Sequence, residues 1–109
     1  DVCEPRFVAV QPRKATFSDG IALANDGCRL SYHLSGDPAA QDKVLMVMGF
    51  ACCRNYWKPQ VTGSAGLAGS SMQVCTFDNR GVGLSDRPLG SYTTVRLARD
   101  CISIMEHLG

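Results

Sequence analysis

The residues best suited to chemistry stand close together in residues 78–86, which read Asp-Asn-Arg-Gly-Val-Gly-Leu-Ser-Asp. This segment combines a carboxylate, a guanidinium and a hydroxyl at Asp78, Arg80 and Ser85. Such groups serve in acid–base, electrostatic and nucleophilic catalysis when they are held in a fixed arrangement. Because the segment is rich in turn-forming residues, it predicts a tight polar loop that follows a strand.

Two interpretations of this loop are open. Asp78 and Arg80 could act directly on a substrate, or the loop could have a structural role. Gly81 and Gly83 are predicted to supply tight turns rather than a phosphate-binding loop. The third glycine of a dinucleotide loop and the G-K-[ST] of a phosphate loop are both absent. Ser85 lacks a G-x-S-x-G setting, which favours a turn or capping hydroxyl over a nucleophile.

The elements that must position the loop can be predicted from hydrophobic periodicity and turn residues. Strands are predicted at four places, 21–24, 29–34, 44–48 and 73–77, and the turn Asn25-Asp26-Gly27 joins the first two into an antiparallel hairpin. A short or frayed helix is predicted at 56–61, and a clear one from Thr93 or Thr94 to Leu108. The order strand, strand, strand, helix, strand, helix indicates the α/β class.

Two of these elements carry a burial prediction. The continuous apolar run from Val44 to Met48 is typical of a strand that is buried on both faces. Apolar residues of the last helix recur at three- and four-residue steps, which predicts one stripe against the sheet formed by Leu97, Ala98, Cys101, Ile102, Met105 and Leu108. Residues 1–14 show little periodicity and are predicted to be a lead-in segment before a domain at 15–109.

Composition excludes several classes of protein. With 45% apolar and 19% charged residues, the chain has the balance of a soluble globular segment. The net charge of +1 and the scattered basic residues give no support for nucleic-acid binding. No apolar run approaches the roughly 20 residues of a membrane span. The chain begins at Asp1, so the compartment is left open, with the cytoplasm or a plastid favoured.

The six cysteines are an even number, as in a disulfide scaffold, but their positions favour another interpretation. Cys75 and Cys101 fall on predicted buried positions, where a thiol acts as a small hydrophobe. No spacing of Cys or His suits zinc, so no metal is predicted. Cys52 or Cys53 stays open as a reactive thiol. The two histidines, His33 and His107, are predicted to be structural or exposed rather than catalytic.

Several short motifs together resemble the N-terminal part of the α/β-hydrolase-fold enzymes. They are Met48-Gly49-Phe50 after an apolar strand, Trp57 and Gln60, the stretch 77–85, and Tyr92-Thr93 at the start of a helix. The resemblance covers roughly residues 15 to 109. Within this superfamily, the segments 75–80 and 106–109 look most like plant and algal hydrolases named for their similarity to aminoacrylate hydrolase.

The resemblance implies specific roles. The backbone amide of Phe50, after the turn at Gly49, would contribute to an oxyanion hole, with Met48 replacing a histidine that many members have there. The resemblance favours the structural role: Asp78, Arg80, Gly81, Gly83 and Ser85 would form a loop that braces the strand ends, with Asp78 accepting backbone hydrogen bonds. In this family the nucleophile, acid and histidine come later than residue 109, so no catalytic side chain is expected in this chain, and the domain is interpreted as truncated before the nucleophile turn.

The resemblance therefore predicts part of a hydrolase that acts on an ester, amide or related bond of a small molecule, without a cofactor. Residues 1–109 alone are predicted to be inactive. A second hypothesis stays open, in which the chain is a non-catalytic ligand- or partner-binding product of a degenerate hydrolase gene. In this fold the strand at 44–48 would pair with a later strand, so its exposed edge is predicted to self-associate.

Overall fold

The computed structural model describes residues 16–49, 52–62, 66 and 72–109. Its strands are β1 (Thr16–Leu23), β2 (Arg29–Gly36), β3 (Asp42–Met46) and β4 (Met72–Phe77). Its helical segments are a 3₁₀ helix (Arg54–Trp57), the short α1 (Lys58–Val61) and α2 (Thr94–Leu108). This order of elements is the predicted one. The predicted lead-in segment, 1–14, lies outside the described residues.

The four strands form one mixed sheet in the order β1-β2-β4-β3. β1 pairs antiparallel with β2, and β2 pairs antiparallel with β4, in a register that sets Tyr32 opposite Phe77. β3 pairs parallel with β4, with Val44 opposite Val74. This arrangement confirms the α/β class and the antiparallel hairpin, and it leaves β3 at one edge of the sheet among the described strands.

The turn between β1 and β2 forms as its residue types predict. Gly27 has φ of +85°, a left-handed conformation that favours glycine, and its amide donates to the carbonyl of Ala24 at 2.9 Å. The Asp26 carboxylate accepts the Cys28 amide at 3.2 Å. Asp26 therefore points its side chain back over the turn, where it also meets arginines from elsewhere in the chain.

The two faces of the sheet carry separate apolar clusters. Consecutive side chains of β4 point to opposite faces, so Phe77 joins one cluster and Val74 the other. The larger cluster is covered by α2 and contains Ala22, Ala24, Cys28, Leu30, Tyr32, Cys75, Phe77 and Ile104. The smaller cluster is covered by the 3₁₀ helix and α1 and contains Val61 and Val74, with Met46 and Trp57 packed against it.

The buried face of α2 differs from the predicted stripe. Ile104 is fully buried, whereas the predicted core residues Ile102 and Met105 are 52% and 50% exposed. Asp100 is also buried, because it pairs with Arg80 beneath the helix. This ion pair turns the helix so that its polar Asp100 faces the sheet, and apolar periodicity alone could not reveal that orientation. The predicted cap is confirmed, since the Thr93 side chain accepts the amide of Arg96 at 3.1 Å.

Two strands also differ from the prediction. β1 runs over Thr16–Leu23 rather than 21–24, and β3 runs over Asp42–Met46 rather than 44–48. The residues of β3 are exposed or half-buried rather than buried on both faces. The reason is its position at the edge of the described sheet, where only β4 pairs with it. The predicted self-association of this edge stays a prediction. No helix within the described residues is long and apolar enough to cross a membrane.

Candidate functional site

The loop of residues 78–86 lies at the carboxyl end of β4, and Met48 and Gly49 lie just beyond the carboxyl end of β3. Because these two strands are parallel neighbours, the two segments meet at the same edge of the sheet. The side-chain amide of Asn79 joins them by donating to the Met48 carbonyl at 3.0 Å. Asn79 thus gives polar anchoring to the segment in which Met48 stands where many α/β hydrolases have histidine. Phe50 lies outside the described residues, so its oxyanion role stays a prediction.

Asp78 is buried and connects three segments of backbone. One carboxylate oxygen accepts the Arg54 amide at the start of the 3₁₀ helix at 2.7 Å, and the other accepts the Leu84 amide at 3.0 Å. The Asp78 amide donates to the Ser31 carbonyl of β2 at 3.0 Å. Both carboxylate oxygens are therefore used in holding backbone, which is the geometry of a brace rather than of a free acid or base.

The glycines of the loop are required by close contacts. Gly83 has φ of +55°, and a Cβ at this position would lie only 2.4 Å from a carboxylate oxygen of Asp78. Gly81 has φ of +83°, and a Cβ there would lie 2.3 Å from the ring of Tyr92. The Gly81 amide donates to the Asp86 carbonyl at 2.8 Å, which closes the loop. Any larger residue at Gly83 would displace the carboxylate that braces the site.

The Ser85 hydroxyl is buried and has partners on both sides. It donates to the Asp78 carbonyl at 2.5 Å and accepts the Ser31 amide of β2 at 2.9 Å. Asp86 extends this attachment, because its carboxylate accepts the Arg29 amide at 2.9 Å. Ser85 therefore fastens the loop to β2. No base contacts its hydroxyl among the described residues, so the structure gives it the geometry of a turn hydroxyl.

Arg80 is held in a buried network that sequence reasoning missed. Its guanidinium makes a bidentate contact with Asp100 at 2.6 and 2.7 Å and a second contact with Asp26 at 2.9 Å. Arg80 and Asp100 are 4% and 1% exposed, so both charges are removed from solvent and balanced by each other. The hydrogen bonds that Arg80 donates to Asp100 and Asp26 raise the pKa of Arg80, and those to Asp26 lower the pKa of that carboxyl.

One sequence signal could have revealed this network. Asp100 stands three residues from Leu97 and four from Ile104, at the spacing of a single helix face. A carboxylate at such a position needs a cationic partner, and Arg80 is the arginine of the loop that precedes the helix. Arg80 is therefore placed to anchor α2 to the loop, and it is not free to contact a substrate from this position.

The thiols and histidines take structural positions. All described cysteines are free, and burial raises the pKa of Cys75 to about 12, which keeps it a protonated, apolar side chain as predicted. Cys52 and Cys53 are half-buried, and their reactivity stays a prediction. His33 lies 2.6 Å from Asp19, and His107 lies 3.3 Å from the Tyr32 hydroxyl. Within the described ranges, no group of three His, Cys, Asp or Glu side chains is arranged to hold a metal.

Comparison with known proteins places this geometry in a common fold. No family model matches the sequence. Among solved structures, the chain resembles a protein from Burkholderia cenocepacia assigned as an aryl esterase, with 30% identity and a TM-score of 0.73 over 84% of the chain. It also resembles the enol-lactonase of Burkholderia xenovorans LB400, with 29% identity and a TM-score of 0.72 over 82%, and a bromoperoxidase of Bacillus anthracis, with 25% identity and a TM-score of 0.72 over 84%.

These structures share the α/β-hydrolase fold, and the chain spans about a third of their length, 33%, 33% and 31% respectively. The chain is therefore an α/β-hydrolase-fold protein whose sheet and helices match the N-terminal part of that fold. The finer resemblance to the plant and algal branch gains no support from these comparisons.

Proposed function

We propose that this chain forms the N-terminal scaffold of a serine-type hydrolase site that cleaves an ester, amide or related bond of a small molecule. The observation that carries the proposal is the buried carboxylate of Asp78. It joins the backbone after β3, through Arg54, to the backbone after β4, through Leu84. In open α/β sheets ligands bind outside the carboxyl ends of the strands, so this brace shapes the edge at which the reaction would occur.

The chemical roles are proposed to be divided between this scaffold and residues outside 1–109. After the turn at Gly49, the Phe50 amide would donate to the oxyanion that develops when a nucleophile attacks the carbonyl carbon. The loop from Asp78 to Ser85 would keep the carboxyl ends of β3 and β4 in register with that amide. The 109 residues contain no G-x-S-x-G, so the nucleophile, and with it the bond-forming step, is proposed to come from elsewhere in the natural gene product.

The similar structures support the reaction class but do not identify one substrate. An aryl esterase and an enol-lactonase both bear names for hydrolysis of an ester bond, and the bromoperoxidase shows a different activity on the same fold. Carboxylic ester hydrolysis is therefore the activity to test first. The alternative, a non-catalytic binding product, gains no support from these comparisons.

The test measures hydrolysis of p-nitrophenyl acetate by the natural gene product that contains these residues and by residues 1–109 alone. We expect turnover by the gene product and none by residues 1–109. In the gene product, Asp78→Asn should lower kcat by about tenfold, because an amide oxygen can replace only one of the two acceptors that Asp78 provides.

The matched control is Asp42→Asn, the same change at an exposed position at the start of β3. It should leave kcat unchanged. Turnover by residues 1–109, or equal effects of the two substitutions, would contradict the proposal.

A further inference from the structure

A separate pocket lies on the face of the sheet that α2 does not cover. It has a volume of about 290 Å³ and is lined by the middle of β1 and β2 on one side and by the 3₁₀ helix and α1 on the other. The polar side chains that line it include Asp19, His33, Ser35, Arg54, Trp57 and Lys58. Its volume is near the lower end of the roughly 300–1,000 Å³ of small-molecule pockets.

Two buried polar groups in this pocket lack hydrogen-bond partners among the described residues. Ser35 is 1% exposed, and its hydroxyl contacts no donor or acceptor. The indole nitrogen of Trp57 is likewise buried without an acceptor. An indole N–H can only donate, and a hydroxyl can donate one hydrogen bond. Because an unpaired buried donor is costly, both groups favour a ligand that brings acceptor oxygens.

The charges around the pocket favour an anion. Asp19 is already engaged, since it lies 2.6 Å from His33 and 3.6 Å from the guanidinium of Arg54. Arg54 and Lys58 are two cations against this one carboxylate, which leaves the lining positive. The Arg54 side chain is only 15% exposed and donates to the Ser31 hydroxyl at 3.1 Å, so it is held at the pocket rather than extended into solvent.

We propose that this pocket binds the carboxylate of a small organic molecule. The carboxylate oxygens accept hydrogen bonds from the Ser35 hydroxyl and the Trp57 indole, and Arg54 and Lys58 balance the charge. Trp57 and the buried Val61 provide an apolar wall for a short carbon chain. The proposal does not depend on hydrolase activity. It does place the ligand next to the candidate hydrolase site, because the backbone amide of the same Arg54 is bound by Asp78.

Trp57 makes the test direct, because it is the single tryptophan of the chain and lines the pocket. The fluorescence of Trp57 in the 109-residue chain is followed while sodium propionate is added at constant ionic strength. Propionamide serves as the neutral probe of similar shape. We expect a saturable change with propionate in the millimolar range and none with propionamide over the same range. The absence of saturation with propionate, or an equal response to propionamide, would overturn the proposal.

Variants connect the signal to the pocket. Arg54→Gln should weaken propionate binding about tenfold, and Ser35→Ala about fivefold, as expected for one charged and one neutral hydrogen-bond donor. Arg99→Gln is the matched control, since Arg99 is exposed on α2, on the other face of the sheet. It should bind propionate like the unmodified protein.

Far-UV circular dichroism establishes that each variant is folded before titration. A folded Arg54→Gln protein that binds propionate as tightly as Arg99→Gln would overturn the proposal. Ser35→Ala provides the independent check, because it removes one hydroxyl and no charge. If folded Ser35→Ala keeps full affinity, the proposed contact is wrong. Neither result bears on ester hydrolysis, which is measured separately.

Discussion

At the scale of single residues, the loop after β4 buries two opposite charges for two different purposes. Asp78 binds backbone amides and no cationic side chain among the described contacts, so its charge stabilises the shape of the loop. Arg80 binds the carboxylates of Asp100 and Asp26, so its charge ties the loop to α2 and to the turn before β2. One short segment therefore fixes both the site edge and the helix behind it.

The Arg80–Asp100 pair gives the sharpest stability prediction. Asp100→Asn should lower the free energy of unfolding by about 3 kcal/mol, because it leaves the Arg80 charge buried with Asp26 as its remaining partner. Urea unfolding measures this change. Asp42→Asn, at an exposed position, should shift the midpoint very little. Equal midpoints for the two variants would show that the buried pair is absent in solution.

At the scale of elements, α2 shows what a helix pattern can and cannot predict. Its N-terminal cap at Thr93 follows from the residue type at that position and is confirmed. Its buried face does not follow from apolar spacing, because the ion pair with Arg80 orients Asp100 toward the sheet. Ile104, four residues later on the same helix face, is therefore buried as well. A pattern that counts only apolar residues assigns such a carboxylate to solvent.

A pair of neighbouring substitutions tests this orientation. Ile104→Ala should cost about 3 kcal/mol of unfolding free energy, because the side chain is fully buried among the residues that α2 covers. Met105→Ala should cost less than about 1 kcal/mol, because half of Met105 is exposed. Thermal or urea unfolding of the two variants decides the matter, and a larger effect at Met105 would mean that α2 packs by its predicted stripe.

The same division applies to the rest of the site. The order of strands and helices, the turn between β1 and β2 and the turn hydroxyl of Ser85 follow from local residue types, whereas the ends of β1 and β3 do not. The contacts of Asn79 with Met48 and of Asp78 with Arg54 join residues far apart in sequence, so only the sheet topology shows them. The half-buried state of β3 also depends on its place in the strand order.

At the scale of the whole molecule, several carboxylates at the surface are tied to basic groups from distant parts of the chain. Hydrogen bonding to His33 lowers the pKa of Asp19, hydrogen bonding to Arg80 lowers that of Asp26, and the Arg29 amide and side chain lower that of Asp86. These carboxylates therefore favour the folded state while they are ionised.

Because these carboxylates stabilise the fold only while ionised, the free energy of unfolding is expected to fall at acid pH. A lowered pKa in the folded state contributes stability above the ordinary value of 3.8, and this contribution is lost as the pH falls through the folded value. We expect a nearly constant urea midpoint from about pH 7 to about pH 5 and a decline below about pH 4. Asp26→Asn should flatten that decline. If the urea midpoint of this variant declines in acid as it does in the unmodified protein, the Asp26 contacts do not form in solution.

We propose that these residues brace a hydrolase site without supplying its nucleophile. This proposal is tested most directly by treating the natural gene product with a fluorophosphonate, which reacts with activated serines, and locating the adduct by peptide mass spectrometry. We expect an adduct on a serine outside the 109 residues and an unmodified Ser85. An adduct on Ser85, or no adduct on any serine, would contradict the proposal.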